Sequence, residues 1–462
     1  MRGKKIIALL LGCSMLTAFS SGCKKEQAST DGKVTITIGN WPNAEANPKM
    51  YENAQNNLKR FNEKYPDINV ITDEYAYDTQ TFAAKAEGGT LPTLYTTFFT
   101  EGDKIMDAGY AADITDQIKK LGWDTKLNEY ILDNISKDGK IYMVPTTIYS
   151  LGLCLNLDLF EQAGLMEADG TPKAPETFEE LAETAKIIKE KTGKAGFVLP
   201  TTGNAGGWIF TSIAWNFGTK FMEQKNGKWT ATFNSPECAA ALQYVKDLRW
   251  KYDVLPSSTL INNADTKKLL GTNQAAITIT APDACAFLVN NYQFDKEKIG
   301  FAKMPAGPKG RTALLGGGLR AISPDATPEQ IDACFKWLTF DGLSPDPDDE
   351  AKEAMRTKME TDKANNNLIG LKDLILWNEK STYAQYRDEL IDEYRNVNEN
   401  HIKLYNDQSG MEFQAEEPVC AQDLYGILDG CIQEVLNNKD ADPAALLEKA
   451  ASDFQQNFLD YE

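Results

Sequence analysis

Two tryptophans stand in polar, glycine-containing segments where a hydrophobic core would not place them. Trp41 lies in the predicted loop GNWPN, and Trp208 ends the predicted loop GNAGGW. A flat aromatic ring suits the apolar C–H face of a sugar ring, and Asp, Glu, Asn and Arg side chains suit the hydroxyl groups at its rim. These residue types therefore indicate a carbohydrate site in which Trp41 and Trp208 are stacking platforms.

Other residues able to contact a sugar lie beside glycines or after predicted strands. In a chain with 67 acids most carboxylates solvate the surface, and paired glycines suit a tight strand entry as well as close approach of the backbone to a ligand. Trp215 suits either the ligand or the core. The tryptophans assigned to the core, because they lie on apolar helix stripes, are Trp250, Trp337 and Trp377. The predicted ligand-binding residues are Trp41, Asn43, Glu45, Asp78, Phe99, Glu101, Tyr149, Trp208, Trp215, Asp283, Gly317, Gly318 and Arg320.

The elements that would position these residues begin with three predicted strands, at 34–38, 68–71 and 94–99. An apolar helical stripe between the first two strands, ended by Pro66, indicates a β-α-β unit with a right-handed crossover. In open α/β sheets ligands bind beyond the carboxyl ends of the strands. The loops after the strands, including the one at 75–78, are therefore candidate walls of the site.

The stretch 138–165 is the segment around which the other elements are organised. It begins at an Asp-Gly turn and continues as an almost unbroken apolar run to Leu157, which indicates a strand buried on both faces. Pro145 has no N–H for a sheet ladder, so we expect two strands that meet at 145–147. A short helix follows and ends at Gly164. The chain would thus leave one sheet and enter a second, although a strand and helix within one large domain is the alternative.

This stretch resembles a known family. The pattern DGKIYMVP, followed by a buried strand and NLDLFEQAGL, resembles the crossover of the family 1 extracellular solute-binding proteins, the maltose-binding-like receptors of ABC importers. Segments similar to further family motifs are PETFEEL at 175–181, QAAI at 274–277 and GGGLRAI at 316–322. Cys154 and Thr93 depart from the pattern. The specific motifs cover residues 33 to 340, and 418–460 match the family only as a general pattern. Residues 345–415 match only as helical.

The resemblance implies an α/β, two-lobed periplasmic-binding-protein-like fold of type II. Each lobe would be a mostly parallel sheet flanked by helices, and three hinge crossings near Pro145, Met304 and Leu343 would join the lobes. The implied divisions are a signal peptide at 1–22, a lipidated tether at 23–32, an N-terminal lobe at 33–145 and 304–342, and a C-terminal lobe at 146–303 and 343–462.

The first residues have the features of an export signal. A basic head precedes an apolar run from Ile6 to Phe19, which is too short to span a bilayer and suits a signal-peptide core. Cleavage before Cys23 leaves a full apolar core, whereas cleavage before Cys13 does not. We therefore predict lipidation at Cys23 and a lipid-anchored protein on the extracellular face of the cell membrane. A secreted protein cleaved nearby is the alternative.

Charge and composition exclude several functional classes. The net charge of -19 argues against binding to nucleic acid or to anionic lipid. Six further cysteines, at 154, 238, 285, 334, 420 and 431, match no disulfide or metal framework and are read as buried free thiols. With a single histidine, His401, no metal site and no cofactor are expected.

The resemblance implies a receptor that captures a carbohydrate between two lobes and delivers it to the permease of an ABC transporter. Several aromatic loops favour an oligosaccharide over a monosaccharide, and a monomer without enzymatic activity is expected. A secreted glycoside hydrolase with two carboxylates is the main alternative. A receptor for a peptide, a polyamine or an anion is another, although the candidate loops hold few bases for an anion.

Overall fold

The structure, a computed structural model, describes residues 32–45, 48–78 and 81–462. The strands are β1 (Val34–Ile38), β2 (Ile68–Thr72), β3 (Leu94–Phe98), β4 (Ser136–Lys137), β5 (Lys140–Ile141), β6 (Met143–Ser150), β7 (Gly152–Asn156), β8 (Ala195–Phe197), β9 (Met222–Lys225), β10 (Lys228–Ala231), β11 (Ala275–Thr280), β12 (Ile299–Lys303), β13 (Thr312–Ile322) and β14 (Glu412–Ala415). The three strands predicted before residue 100 are therefore confirmed.

Helices flank these strands over the whole described chain. They are α1 (Pro48–Lys64), α2 (Phe82–Glu87), α3 (Gly102–Asp107), α4 (Thr115–Lys120), α5 (Glu129–Ile135), α6 (Leu157–Ala163), α7 (Phe178–Thr192), α8 (Ala205–Phe217), α9 (Pro236–Trp250), α10 (Asn263–Gly271), α11 (Asp283–Tyr292), α12 (Pro328–Phe340), α13 (Asp349–Ala364), α14 (Thr382–Tyr394), α15 (Lys403–Asn406), α16 (Ala421–Asn437) and α17 (Pro443–Asn457). Short 3₁₀ helices cover Phe99–Glu101, Lys296–Lys298, Glu399–His401 and Leu459–Tyr461.

Two separate sheets, each with its own hydrophobic core, form the two lobes. The first-lobe sheet has the order β14-β13-β3-β1-β2, with β6 paired to β13, and the second-lobe sheet has the order β12-β7-β11-β8. The expectation of a mostly parallel sheet holds for the first lobe, where β1 pairs in parallel with β2 and β3 and β13 pairs in parallel with β14. It is wrong for the second lobe. In the second-lobe sheet only β8 and β11 run parallel, and the chain between them contains helices. Strand β7 enters this sheet directly from the first lobe and runs antiparallel to both of its neighbours, β11 and β12.

The passage between the lobes differs in detail from the prediction at Pro145. This residue lies inside the continuous strand β6, and the chain leaves the first-lobe sheet only at Leu151. The strand tolerates the proline because it pairs only with β13, and because its pairing shifts there, so that Thr147 faces Gly318 while Pro145 faces Leu319. Thr146 is the extra residue of this bulge.

The chain after residue 343 contributes to both lobes. Trp377 is buried in the first-lobe core, and β14 extends the first-lobe sheet by parallel pairing with β13. Tyr405 instead packs against Phe301 of β12 in the second lobe, with ring centroids 4.8 Å apart. We predicted that all residues after 343 belong to the second lobe. Trp377 and β14 instead contact the first lobe, while Tyr405 contacts the second.

Local signals in the sequence match the structure well. Gly164 has a φ of 75° and ends α6, and the Thr177 side chain accepts a hydrogen bond from the Glu180 N–H at the start of α7. Trp337 and Trp377 are buried as predicted, but Trp250 is 38% exposed, so its assignment to the core is wrong. Its indole N–H donates to the Val435 carbonyl at the edge of the second lobe.

Free thiols are confirmed for the described cysteines, of which only Cys420 is not fully buried. Across residues 32–45, 48–78 and 81–462, no cluster of three or more His, Cys, Asp or Glu side chains is placed to hold a metal ion. Within the same ranges no helix has both the length and the apolar character needed to cross a bilayer. Cys13 and Cys23 lie outside the described residues, as does the predicted signal peptide.

Candidate functional site

A cleft of about 500 Å³ lies between the two lobes and is lined by residues of both. From the first lobe, the lining residues are Tyr77, Asp78, Phe98, Thr100, Tyr149 and Gly317. From the second-lobe side, they are Gly203, Asn204, Ala205, Trp208, Glu416, Gln422 and Tyr425. The cleft thus combines five aromatic side chains with carboxylate, amide and hydroxyl groups.

The first-lobe wall stands on the segments that follow β2 and β3. Phe98, the last residue of β3, is 49% exposed and meets the ring of Tyr77 edge-on at 5.4 Å between centroids. The Tyr77 hydroxyl donates to the buried carboxylate of Glu101 at 2.6 Å, which fixes the orientation of the ring. Burial, with Glu101 beside it, raises the pKa of Tyr77, so the hydroxyl stays protonated.

The floor of the cleft is formed where β6 and β13 cross its base. Tyr149 near the end of β6 faces Gly316, and a Cβ atom at Gly316 would lie 2.5 Å from the Tyr149 ring. Only glycine lets the ring lie this close to the strand backbone. The paired glycines were predicted to let a ligand approach the backbone. At Gly316 the group that approaches is instead the Tyr149 ring of the protein itself, whereas the neighbouring Gly317 lines the cleft.

The second-lobe wall is the first turn of α8, which differs from the prediction of a loop at this position. The Asp429 carboxylate on α16 accepts hydrogen bonds from the N–H groups of Asn204 at 2.8 Å and Gly207 at 2.7 Å. These N–H groups have no partner within the helix, so an acidic side chain from another helix stabilises its start. Trp208 therefore lies in the first turn of a helix whose N-terminus is held by Asp429, and it lines the cleft.

Gly207 allows α8 and α16 to touch along their backbones. A Cβ atom at Gly207 would lie 2.2 Å from the Tyr425 carbonyl oxygen and 2.5 Å from its Cα, distances that real side chains do not reach. Because these contacts are with backbone atoms, no side-chain rotation can relieve them. The separation of Trp208 and Tyr425, which face the same cleft, therefore depends on this glycine.

We expect Gly207→Ala to lower the thermal unfolding midpoint by several degrees, because α16 must shift away from α8 to admit the methyl group. The matched control is Gly430→Ala, since Gly430 is an exposed residue of α16 whose added Cβ would meet no atom within 4 Å. That variant should be neutral or slightly stabilised, because alanine favours a helix more than glycine does. Equal midpoints for the two variants, measured by calorimetry, would contradict the close contact.

Two neighbouring acids connect the first-lobe sheet to the second-lobe wall. Glu416, directly after β14, accepts a hydrogen bond from the Tyr425 hydroxyl at 3.1 Å, and the Trp208 side chain lies beside it. Burial raises the pKa of Glu416 to about 7 despite these neighbours, and the charge of Glu101 adds to the rise. Glu417 accepts from the Trp215 indole N–H at 3.1 Å, and burial raises its pKa also to about 7. These carboxylates fix the positions of aromatic rings.

The structure brings four of the sequence-predicted residues to the cleft itself, namely Asp78, Tyr149, Trp208 and Gly317. Asp78 also accepts hydrogen bonds from the backbone and hydroxyl of Thr81, each at 2.9 Å. Three more predicted residues lie directly behind this lining, namely Phe99, Glu101 and Gly318. The ligand contacts of all these residues stay predictions.

The other predicted residues lie elsewhere. Trp41 is only 7% exposed and packs against Trp337 in the first-lobe core, because its backbone N–H donates to Asp73 and turns the loop inward. It cannot stack on a ligand in this position. Trp215 is likewise buried, and Arg320 lines a separate first-lobe cavity of about 200 Å³. The predicted residues on exposed turns or helix starts outside the cleft are Asn43, Glu45 and Asp283, of which Asp283 pairs with Lys267.

Nine lining residues were not among those predicted. Tyr77 and Phe98 lie in segments that the strand-end rule had marked, and Phe98 directly precedes the predicted Phe99 but lies on the opposite face of the chain. Thr100 lies between the predicted residues Phe99 and Glu101. The lining residues Gly203, Asn204 and Ala205 belong to the segment that ends at the predicted Trp208. No signal in the sequence marked Glu416, Gln422 or Tyr425, because they come from a part of the chain that matched known motifs only generally.

Comparison with known proteins gives one family. Residues 46–342 match the family model described as bacterial extracellular solute-binding protein. A putative binding protein of Brucella abortus (strain 2308) is 27% identical over 206 residues, which are 44% of this chain and 46% of that relative. The chain thus spans about half the length of these first relatives. The arabinooligosaccharide-binding protein of Bacillus subtilis (strain 168) is 23% identical over 354 residues, or 73% of this chain and 76% of that protein.

Solved structures with the same fold cover nearly the whole chain. A maltose-bound T. maritima MalE3 superposes with a TM-score of 0.65 at 20% identity, over 92% of this chain and 99% of that one. The cyclic alpha-maltosyl-1,6-maltose binding protein from Arthrobacter globiformis gives 0.66 at 21% identity, over 92% and 100%. The predicted two-lobed type II fold is confirmed, and the chain belongs to the bacterial extracellular solute-binding proteins.

Proposed function

We propose that the protein binds a carbohydrate, specifically an oligosaccharide, in the cleft between its lobes and delivers it to the permease of an ABC transporter. The observation that carries this proposal is the composition of the cleft, in which aromatic rings from both lobes alternate with groups that bond hydroxyls. Phe98 and Trp208 offer ring surfaces, and Asn204, Gln422 and Asp78 offer polar partners. A volume of about 500 Å³ is ample for more than one sugar ring.

The relatives support the same class of ligand. Relatives named for a carbohydrate include binding proteins for arabinooligosaccharide, maltodextrin and polygalacturonan/rhamnogalacturonan in Bacillus subtilis and for lactose in Rhizobium radiobacter. Solved structures of this fold include proteins that hold maltose or other sugars. These names describe binding proteins and not hydrolases, which supports a receptor over the glycoside hydrolase alternative. We propose that this chain, likewise, releases its ligand unchanged.

A thermal-shift screen against starch-derived and plant-derived trisaccharides tests the proposal. We expect at least one sugar to raise the unfolding midpoint in a concentration-dependent manner, because a ligand that binds only the folded protein stabilises it. Chromatography of the same mixture should recover the sugar intact. Hydrolysis above the buffer rate would favour the hydrolase, and a midpoint raised only by peptides or polyamines would favour the other receptor class.

We further propose that Cys23 carries a lipid that anchors a monomeric protein to the outer face of the cell membrane. Diacylglyceryl modification supplies at least two acyl chains, enough for stable anchoring. In the expressing cell, Cys23→Ala should move the protein from the membrane fraction to the medium, whereas Cys13→Ala should leave it in the membrane fraction. Immunoblots of the two fractions make the measurement, and the reverse pattern would assign the anchor to Cys13.

A further inference from the structure

The charged side chains that line the cleft are all acidic. Asp78 contributes one carboxylate from the first lobe, and Glu416 contributes another from the opposite wall. No lysine, arginine or histidine is among the lining residues in the described part of the chain. A third carboxylate, Glu101, lies directly behind the Tyr77 ring that it orients. A ligand in this cleft therefore meets negative charge from both lobes.

These carboxylates are held in place and are poorly solvated. Glu101 is 8% exposed, and its charge acts on Glu416 across the cleft. Glu416 in turn accepts a hydrogen bond from the Tyr425 hydroxyl and lies beside Trp208, so it cannot turn toward solvent without releasing Tyr425. Fixed charges in a partly buried site act at a lower effective dielectric than charges in water, which strengthens their effect on a ligand.

A few other charged groups stand near Glu416. Lys104 on α3 is exposed and acts on Asp423 and Cys420 of the α16 start, at the rim, and it is not a lining residue. Tyr149 and Tyr425 face Glu416 as neutral hydroxyls, because burial raises the pKa of each. Glu417 points away to Trp215. Among the described residues, Lys104 therefore acts on Asp423 at the rim, and no base is among the groups that act on the Glu416 carboxylate.

We infer that the cleft discriminates between sugars by charge: it accepts uncharged oligosaccharides and excludes those that carry carboxylate, sulfate or phosphate groups. Glu416 is the principal specificity-determining residue, and Asp78 is the second. The inference rests on the proposed carbohydrate function and narrows it to one class of ligand. Like charges placed about 6 Å apart at an effective dielectric near 20 repel strongly enough to lower affinity by tenfold or more.

Matched sugar pairs test this inference. Maltotriose, cellotriose and galactotriose are each compared with the same trisaccharide oxidised at C6 to the uronic acid, by calorimetry at pH 8 and low salt. For any sugar that binds, we expect the acidic form to bind at least about tenfold more weakly. Equal or tighter binding of the acidic form would overturn the inference about charge but would leave the proposed carbohydrate function intact. If no member of any pair binds, the proposed function fails as well, so the two failures are distinguishable.

Variants assign the discrimination to particular residues. Glu416→Gln keeps an acceptor for the Tyr425 hydroxyl and should recover at least about tenfold in affinity for the acidic sugar at pH 8. Asp78→Asn should recover part of it, which gives a second test if the first variant folds poorly. The control Glu179→Gln changes an exposed acid of α7 that does not line the cleft, and it should leave the ratio unchanged. Equal ratios in the wild type and both cleft variants would overturn the assignment.

The pH dependence separates charge from shape. The pKa of Glu416 is about 7, so its carboxyl group is neutral at pH 5.5 and ionised at pH 8, whereas the uronic acid stays ionised over this range. The wild type should therefore bind the acidic sugar more tightly at pH 5.5 than at pH 8. In Glu416→Gln this gain should be absent. A gain of the same size in the variant would show that another group is responsible.

Discussion

Trp208→Ala is expected to weaken binding of the best trisaccharide in the screen about thirtyfold or more, measured by calorimetry. Trp208 offers its ring to the cleft from the first turn of α8, where Glu416 lies beside it and Gly207 sets the distance between α8 and α16. Loss of a desolvated aromatic anchor costs roughly 2 kcal/mol or more, which corresponds to this factor. Trp208→Phe should recover part of the affinity because it keeps a flat ring.

The control for this variant is Trp250→Ala. Trp250 is also partly exposed and belongs to the second lobe, but it bonds Val435 and does not line the cleft. It should bind the sugar like the wild type even if its unfolding midpoint falls. Normal affinity of Trp208→Ala, with its fold confirmed by circular dichroism, would show that the ligand does not stack on this wall.

The same variant should reveal closure of the lobes. A ligand that contacts both walls favours a closed arrangement by the difference of its affinities for the closed and open forms. We therefore expect saturating sugar to reduce the radius of gyration of the wild type in small-angle scattering, and to change tryptophan fluorescence at the same time. Trp208→Ala should show little of either change. Saturated binding by the wild type without compaction would contradict a hinge between the lobes.

Glu417→Gln is expected to raise the free energy of unfolding by about 2 kcal/mol at pH 8. The pKa of Glu417 is about 7 in the folded chain, above the value of about 4.3 for an exposed glutamate, because burial disfavours the charged form. Such a group takes up a proton on folding. Below about pH 4.3 the carboxyl group is protonated in both the folded and the unfolded chain, so its burial does not reduce the stability of the fold. This stability is lost as the pH rises through 7 and the buried group must ionise. Gln keeps the acceptor for the Trp215 indole without the buried charge.

Denaturant titrations at pH 4.5 and pH 8 check this result. The difference between Glu417→Gln and the wild type should be largest at pH 8 and nearly disappear at pH 4.5, where Glu417 is protonated in the folded chain. Glu179→Gln, an exposed substitution of the same kind, should show no such dependence. A stability gain that is equal at both pH values would mean that the charge of Glu417 is not its cause.

The fold could be predicted from the sequence wherever local chemistry decides the structure. Strand β7 and helix α6 followed from an apolar run, a change of period and Gly164, all within a short stretch. The positions of β1, β2 and β3 followed in the same way, and with them the expectation that their carboxyl ends face a site. Asp78 reaches the cleft for this reason.

The site was less predictable because tertiary contacts decide which side chains reach it. Trp41 satisfied every local criterion for a ligand platform, yet a backbone hydrogen bond to Asp73 turns it onto Trp337. Trp208 appeared to be in a loop because its helix start is stabilised by Asp429, more than two hundred residues later in the chain. No pattern in the residues near Trp208 indicates that partner.

The late position of β14 in the sequence has a consequence for how the molecule is assembled. Residues 412–415 pair with residues 312–315, and Glu416 and Tyr425 follow directly after them. A nascent chain would contain all strands of both sheets except β14 well before it contained this wall of the cleft. Contacts between residues this distant in sequence form slowly. We therefore expect affinity for the ligand to arise only once this last strand has docked, so that sugar binding would serve as an assay for completed folding.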